Sequence, residues 1–215
     1  KKLSTLLALT LITNFMFAQC NGRYQTEIFS SVTKTTVNYS DVFNDNEHKM
    51  DIYTPNGDTV TNRPVILYMH AGAFYGGDKT MIDCVDFCES MAKRGYVTAS
   101  ANFRITNIIT FLSSQAEQYK IVLKSVADAK AAVRYFRKDH AINANTYGID
   151  PSTIFVGGYS SGGVIALHMA FIDAISDLPT APIDVQALVG TIGGNLEGDA
   201  GNLGYSSDVQ GVISV

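Results

Sequence analysis

The chain has no tryptophan, five prolines and three cysteines in 215 residues, and its 16 lysines and arginines fall short of its 20 acidic residues. So few cysteines exclude a small disulfide-dense scaffold. The thin and unclustered basic charge excludes a nucleic-acid-binding surface, which needs Lys and Arg gathered on one face. Four histidines (His48, His70, His140, His168) are scattered, and none stands at ligand spacing with a cysteine, so neither metal nor cofactor is expected. What the chain does have is 46% hydrophobic and 17% charged residues, enough for one globular domain with a sizeable core. It shows no internal repeat and no low-complexity linker.

The longest apolar run, Leu6 to Phe17, is too short and too interrupted by Thr and Asn to favour a membrane span. Preceded by Lys1 and Lys2 and followed by Ala18, it has the layout of a secretory signal peptide. Residues 1–18 are expected to be removed, which takes the formal charge from −4 to −6 and leaves 19–215 as a secreted or periplasmic domain. A lipoprotein acylated on Cys20 is the rival, against which Gln19 is a poor small-residue neighbour. Cys84 and Cys88 stand four apart in a helical pattern, where Cβ atoms are about 5–6 Å apart, too far for an easy mutual bridge. A disulfide from Cys20 to one of them and a pair of small core residues are the two readings.

Further along, apolar runs alternate with helical patterns. "KMDIYTP" (49–55) alternates and stops at a proline, as a strand near a sheet edge does, and "RPVILYMH" (63–70) is continuous, as a strand buried on both faces is. "DCVDFCESMAKRGY" predicts a helix with Val85, Cys88 and Met91 or Ala92 facing inward and Gly95 as its stop. "YVTASANFR" (96–104) and "STIFVGG" (152–158) predict two further strands. Between them, Ser113 to His140 reads as one long helix with Val126, Ala129, Val133 and Phe136 as its apolar stripe, and "VQGVISV" (209–215) as a late strand. The alternation indicates an α/β fold, a mostly parallel sheet with helices on both faces.

Gly158, Ser160 and Gly162 form G-x-S-x-G where a strand meets a helix, the setting of a nucleophile elbow. Small residues let a strained turn lift one hydroxyl above the sheet, and the helix directs its N–H groups and positive dipole end at charge developing there. Ser160 is therefore the candidate nucleophile. Upstream, "MHAGAFYGGDK" follows a buried strand, so its loop can bring backbone N–H groups beside Ser160 to receive an oxyanion.

Together these stretches resemble the carboxylesterase and hormone-sensitive-lipase-like α/β-hydrolases. "HAGAF" stands against H-G-G-[GA]-[FW], "GYSSGG" against G-[DE]-S-A-G-G, "RGYVTASANFR" against G-Y-x-V-x-x-x-Y-R, and "DAKAAVRYFRKD" and "YGIDPSTIFVGG" lead into the elbow. The resemblance implies an α/β-hydrolase fold, Ser160 as nucleophile, the N–H groups of Gly72, Ala73 and Ser161 as oxyanion hole, and His70 as a brace for the oxyanion loop. Three positions depart from the pattern: Ala71 for a glycine, which would cost about 1–2 kcal/mol if φ there were positive; Tyr159 for an acidic residue; and Phe103 for a tyrosine.

In this fold the acid and histidine follow the serine. His168 lies about 12 Å down the elbow helix and cannot be the base, and Asp173, Asp177 and Asp184 do not suit the acid position. The catalytic Asp and His are therefore expected outside the chain, which is read as the N-terminal portion of the domain. Asp128 is read as structural or solvated, Arg104 as an internal salt-bridge partner, and 193–208 as a substrate-side insertion. The expected function is a secreted serine esterase acting through an acyl-enzyme on small-molecule or carbohydrate esters, acyl or feruloyl groups on polysaccharide included. A serine peptidase and a non-catalytic binding protein on the same fold are the alternatives. Neither the oligomeric state nor the acyl and alcohol specificity is legible.

Overall fold

The computed structural model describes residues 21–215; the expected signal peptide and Cys20 lie outside that range. Six strands form one sheet: β1 (Val32–Asn38), β2 (Lys49–Pro55), β3 (Arg63–Met69), β4 (Val97–Ala101), β5 (Ile149–Gly158) and β6 (Gly211–Ser214). Their order is β1-β2-β4-β3-β5-β6. β4, β3, β5 and β6 run parallel to one another, while β1 pairs antiparallel with β2 and β2 with β4. The expected alternation is thus present, with an antiparallel margin added.

Helix α1 (Ile82–Lys93) covers one face. Helices α2 (Ile108–Ser113) and α3 (Gln115–Ile142) follow β4, α4 (Ser161–Phe171) follows β5, and the short α5 (Val185–Leu188) precedes β6. Period-two alternation divides the strands between the layers: Val65, Leu67 and Met69 of β3 join the main core under α3 and α4, and Tyr68 points to the α1 side. All four residues of the expected α3 stripe are buried, Val133 and Phe136 completely.

β2 lies near the sheet edge, as expected; the edge itself is β1, a strand whose polar, mostly exposed "VTKTTVN" gives no alternating signal. One detail differs from the sequence reading. The inward stripe of α1 is Cys84, Cys88 and Ala92, all fully buried, with Val85 only half-buried. The expected long helix is α3, within two residues at each end, and a separate short helix, α2, precedes it: Ser114 in extended conformation ends α2 and caps α3, its hydroxyl accepting from the Glu117 N–H at 3.2 Å.

Both helix cysteines are buried free thiols, as the small-core-residue reading has it, and burial pushes the Cys84 thiol up to about 12. Residues 193–208 form a strap bound to α3. Arg134, wholly buried, donates from Nε and Nη2 to the Gly201 carbonyl at 2.9 and 2.7 Å and from Nη1 to Glu197 at 2.6 Å. Gly198 presses so closely on α3 that a Cβ there would lie 2.2 Å from that of Ala127. The stretch read from the sequence as a substrate-side insertion is packed structure seated on α3. Among the described residues no helix is long and apolar enough to cross a membrane.

Candidate active site

β5 ends at Gly158, and the chain turns through Tyr159 and Ser160 into α4. Ser160 sits at the helix N-cap with φ 54° and ψ −112°, a conformation that costs a non-glycine residue about 1–3 kcal/mol and persists only where the surroundings enforce it. They do so here. A Cβ on Gly158 would lie 2.5 Å from the Met69 carbonyl oxygen, and one on Gly162 would lie 2.1 Å from the same atom. The two glycines thus let the turn press against the end of β3. The Ser160 N–H donates to the Val215 carbonyl at 2.9 Å, and the Val215 N–H returns a bond to Gly158 at 3.1 Å. Ser160 is exposed, whereas the neighbouring Ser161 is buried and donates its hydroxyl to the His70 carbonyl at 3.3 Å.

That last bond joins the elbow to the loop after β3, so the two stretches meet as expected. Gly72 has φ 136°, and a Cβ there would lie 1.9 Å from the Gly76 carbonyl oxygen. The strain foreseen at Ala71 falls instead on Ala73 and Phe74, at φ 51° and 66°, while Ala71 has no positive φ. The loop folds back on itself, with the N–H groups of Tyr75 and Gly76 both donating to the Gly72 carbonyl at 3.0 Å. Among the described residues, none accepts a hydrogen bond from the N–H of Gly72, Ala73 or Ser161. Three donors from the two stretches are therefore left free, and the positive end of α4 adds to them.

His70 braces this loop. Its Nδ1 lies 2.6 Å from the Ala71 carbonyl, so that nitrogen carries the hydrogen, and its ring stacks on Phe103 with centroids 4.3 Å apart. Phe103 thereby fills the place of the family tyrosine with a flat apolar face. Burial pushes the His70 imidazole below its ordinary range, keeping it neutral.

Behind the loop lies a charged hub that the sequence only half revealed. Asp128, fully buried on α3, accepts from the Arg104 N–H at 2.7 Å and from its Nε at 2.9 Å, and Arg104 Nη2 also pairs with Asp199 at 2.6 Å. Arg104 is thus an internal partner and Asp128 structural. His48 completes the group, with Nδ1 2.7 Å from Asp45 and Nε2 3.4 Å from Asp128. Burial alone would lower the His48 value, but Asp128 and Asp45 outweigh it and hold the imidazole above its usual range. A raised folded-state value contributes stability below the unfolded value near 6.5 that is lost as pH rises through the folded one. His70 and His168, whose values burial lowers, act in the opposite direction, so the His48 contribution is read as a difference: the urea midpoint of the native chain relative to that of His48→Gln should fall from pH 6 to pH 8.

Two of the described histidines are set away from Ser160 along their own elements. His168 is two turns down α4, with burial lowering its value. His140 is exposed near the end of α3, beside Asp150 at the start of β5, the opposite end of that strand from the elbow. Among the described residues no group of three or more His, Cys, Asp or Glu could hold a metal.

A groove of about 280 Å³ is lined by Phe74, Phe111, Tyr119 and Val122 together with Gln115 and Gln118. It shares Phe74 with the loop after β3, and Ile109 and Leu112 of α2 stand exposed nearby in sequence. Nothing in the sequence marked it, because its lining comes from the loop after β3, from α2 and from the start of α3, which meet only in the fold.

Residues 50–193 match the BD-FAE family. The chain belongs to that family of α/β-hydrolase esterases. Solved structures share its fold: a truncated form of a carbohydrate esterase from gut microbiota is 24% identical with a TM-score of 0.62, over 89% of this chain and 57% of that one. Esterase 2 of Thermogutta terrifontis, phosphorylated by paraoxon, is 23% identical with a TM-score of 0.55, over 84% of this chain and 56% of that one. A non-reducing polyketide synthase, atr1 of Stereocaulon alpinum, is 25% identical over 157 residues, 72% of this chain and 6% of its own length. This BD-FAE chain thus spans little more than half of those esterase structures.

Proposed function

We propose that the chain carries the nucleophile and oxyanion hole of a secreted serine hydrolase that cleaves carboxylic esters through an acyl-enzyme. The observation that carries this reading is Ser160 itself, exposed at a strained helix N-cap and tied through the Ser161–His70 bond to the loop after β3, whose Gly72 and Ala73 N–H groups have no acceptor among the described residues. Ser160 Oγ adds to the ester carbonyl, its proton passing to a base. The N–H groups of Gly72, Ala73 and Ser161 hold the resulting oxyanion, which collapses to expel the alcohol and leave an acyl-serine for water to hydrolyse. The acid and histidine of the triad come from outside the described residues. In support, the α4 surface beside the β6 edge is apolar, with Val164, Leu167 and Phe171 exposed, which suits a face that further structure covers.

Small-molecule or carbohydrate esters are the proposed substrates, with acyl or feruloyl groups on polysaccharide among them. The groove lined by Phe74, about 280 Å³, is of a size to accept one ring or a short acyl group, which supports this scale. The N-terminal layout of residues 1–18 supports export. The test compares p-nitrophenyl esters: acetate should exceed chains of ten or more carbons in kcat/KM by about tenfold or more, and a preference for the long chains would overturn the assignment of substrate class.

A further inference from the structure

At the opposite margin of the sheet from β6, the last turns of α3 lie beside the end of β1, around a pocket of about 180 Å³. Asp139 lines it and is only 3% exposed, yet among the described residues its Oδ2 is buried with no hydrogen-bond partner and its carboxylate enters no ion pair. Asn38 lines the pocket too. Its Nδ2 donates to the carbonyls of Ser40 at 2.6 Å and Phe43 at 2.8 Å, which fixes the amide orientation and leaves Oδ1 as a second buried acceptor without a donor.

The neighbouring ammonium does not answer either acceptor. Lys138 Nζ is spent on Asp41 at 2.8 Å and Asn202 at 3.2 Å. Lys138 and Asp41 therefore offset each other, and Asp139 carries the pocket's uncompensated charge. Tyr135 also lines the pocket, its hydroxyl 3.2 Å from that of Tyr147. Ordered water could donate to both orphan oxygens but would leave a buried carboxylate without a counter-charge, an arrangement folded proteins seldom keep.

We infer that this pocket binds a hard, oxygen-preferring cation through the Asp139 carboxylate, Asn38 Oδ1 and water. Histidine and cysteine spacing and the absence of an EF-hand pattern in 193–208 gave no expectation of a metal; here one carboxylate and one amide from distant elements line the same pocket. A single formal charge places the affinity at the weak end for such sites, about 10⁻⁴–10⁻³ M for Ca²⁺. The inference does not rest on the proposed esterase function, since none of these residues belongs to the elbow or the oxyanion loop.

The experiment uses the whole chain at constant ionic strength, with choline chloride replaced in one arm by CaCl₂ and in another by NaCl. A saturable rise in Tm of about 3–6 °C is expected at ten times the Kd in one of the arms, and that arm identifies the ion's charge. Asp139→Asn, nearly isosteric, should abolish the rise. Tb³⁺ serves as a second probe on the unaltered chain, because Tyr135 should sensitise its emission at the site and Ca²⁺ should quench that emission by competition. No saturable rise in either arm, an undiminished rise in Asp139→Asn, or the absence of competable Tb³⁺ emission would each overturn the proposal.

Discussion

Ser160→Ala should lower ester turnover by about 10⁴–10⁶-fold in the form of the protein that carries the complete triad, with little change in Tm. The size follows from the role. Without the hydroxyl no acyl-serine forms, and what survives is the oxyanion hole acting on a water molecule. Stability should hardly move because the side chain is exposed and caps no N–H of α4. Ser161→Ala is the informative companion. Its hydroxyl is buried against the His70 carbonyl, so its loss disturbs the brace between elbow and loop while the Ser161 N–H remains in place. A fall of about tenfold to a hundredfold is expected there, with labelling by a fluorophosphonate still located on Ser160 by peptide mass spectrometry. Label on Ser161, or full labelling of the Ser160→Ala protein, would remove Ser160 from the mechanism. The 215-residue chain by itself should show neither efficient turnover nor fast labelling, because a serine hydroxyl without an adjacent base is a weak nucleophile. Rates near those of the triad-bearing form would place the base within the chain.

How much of this was legible depended on whether the determining interaction was local. The elbow was legible because its requirements are packed into five consecutive residues: small groups at Gly158 and Gly162 and a hydroxyl between them. The buried strands β3 and β5 announced themselves by continuous apolar runs, and the α3 stripe by its period. Edge strand β1 did not, since its side chains face solvent and its register is imposed by β2, in pairs such as Thr35 with Ile52. The α1 stripe was displaced by one residue because Cys84 and Val85 are both small and apolar, and only the aromatic side chains of Tyr53 and Tyr68 beneath decide between them. The hub around Arg104 was half legible. Its partner Asp128 lies in a matched stretch, but His48 joins from before β2 and leaves no local signal. The pocket at Asp139 was illegible for the same reason, since Asn38 and Asp139 come together only when β1 takes its edge position. The concern over Ala71 shows a subtler limit. The sequence correctly indicated a strained loop, but backbone strain can move along a loop, and here it settled on Ala73 and Phe74.

The second large effect is on stability, at Gly162. Gly162→Ala should destabilise the chain by about 3 kcal/mol or more, at the upper end of overpacking substitutions, although alanine is the best helix former and would ordinarily favour the second residue of α4. The gain in helix propensity relative to glycine is about 1 kcal/mol. Against it stands a Cβ placed 2.1 Å from the Met69 oxygen, 2.7 Å from the Met69 carbonyl carbon and 3.1 Å from the His70 oxygen. These are backbone atoms, at the end of a central strand whose neighbours on both sides are parallel, so they cannot rotate away as a flexible side chain would. Relief requires the elbow to lift from β3, which would also strain the Ser160 N–H bond to Val215 and the Ser161 bond to His70. Gly190→Ala supplies the control, since a Cβ at Gly190 meets nothing within 4 Å. Urea unfolding should therefore show a much lower midpoint for Gly162→Ala and a nearly unchanged one for Gly190→Ala. Where the first variant remains folded, fluorophosphonate labelling of Ser160 should be slower as well, because the same contact that holds the turn against β3 holds the serine beside its oxyanion donors. A stable Gly162→Ala chain would mean that the elbow and the loop after β3 are free to move apart, and the strained conformation of Ser160 would then need another cause.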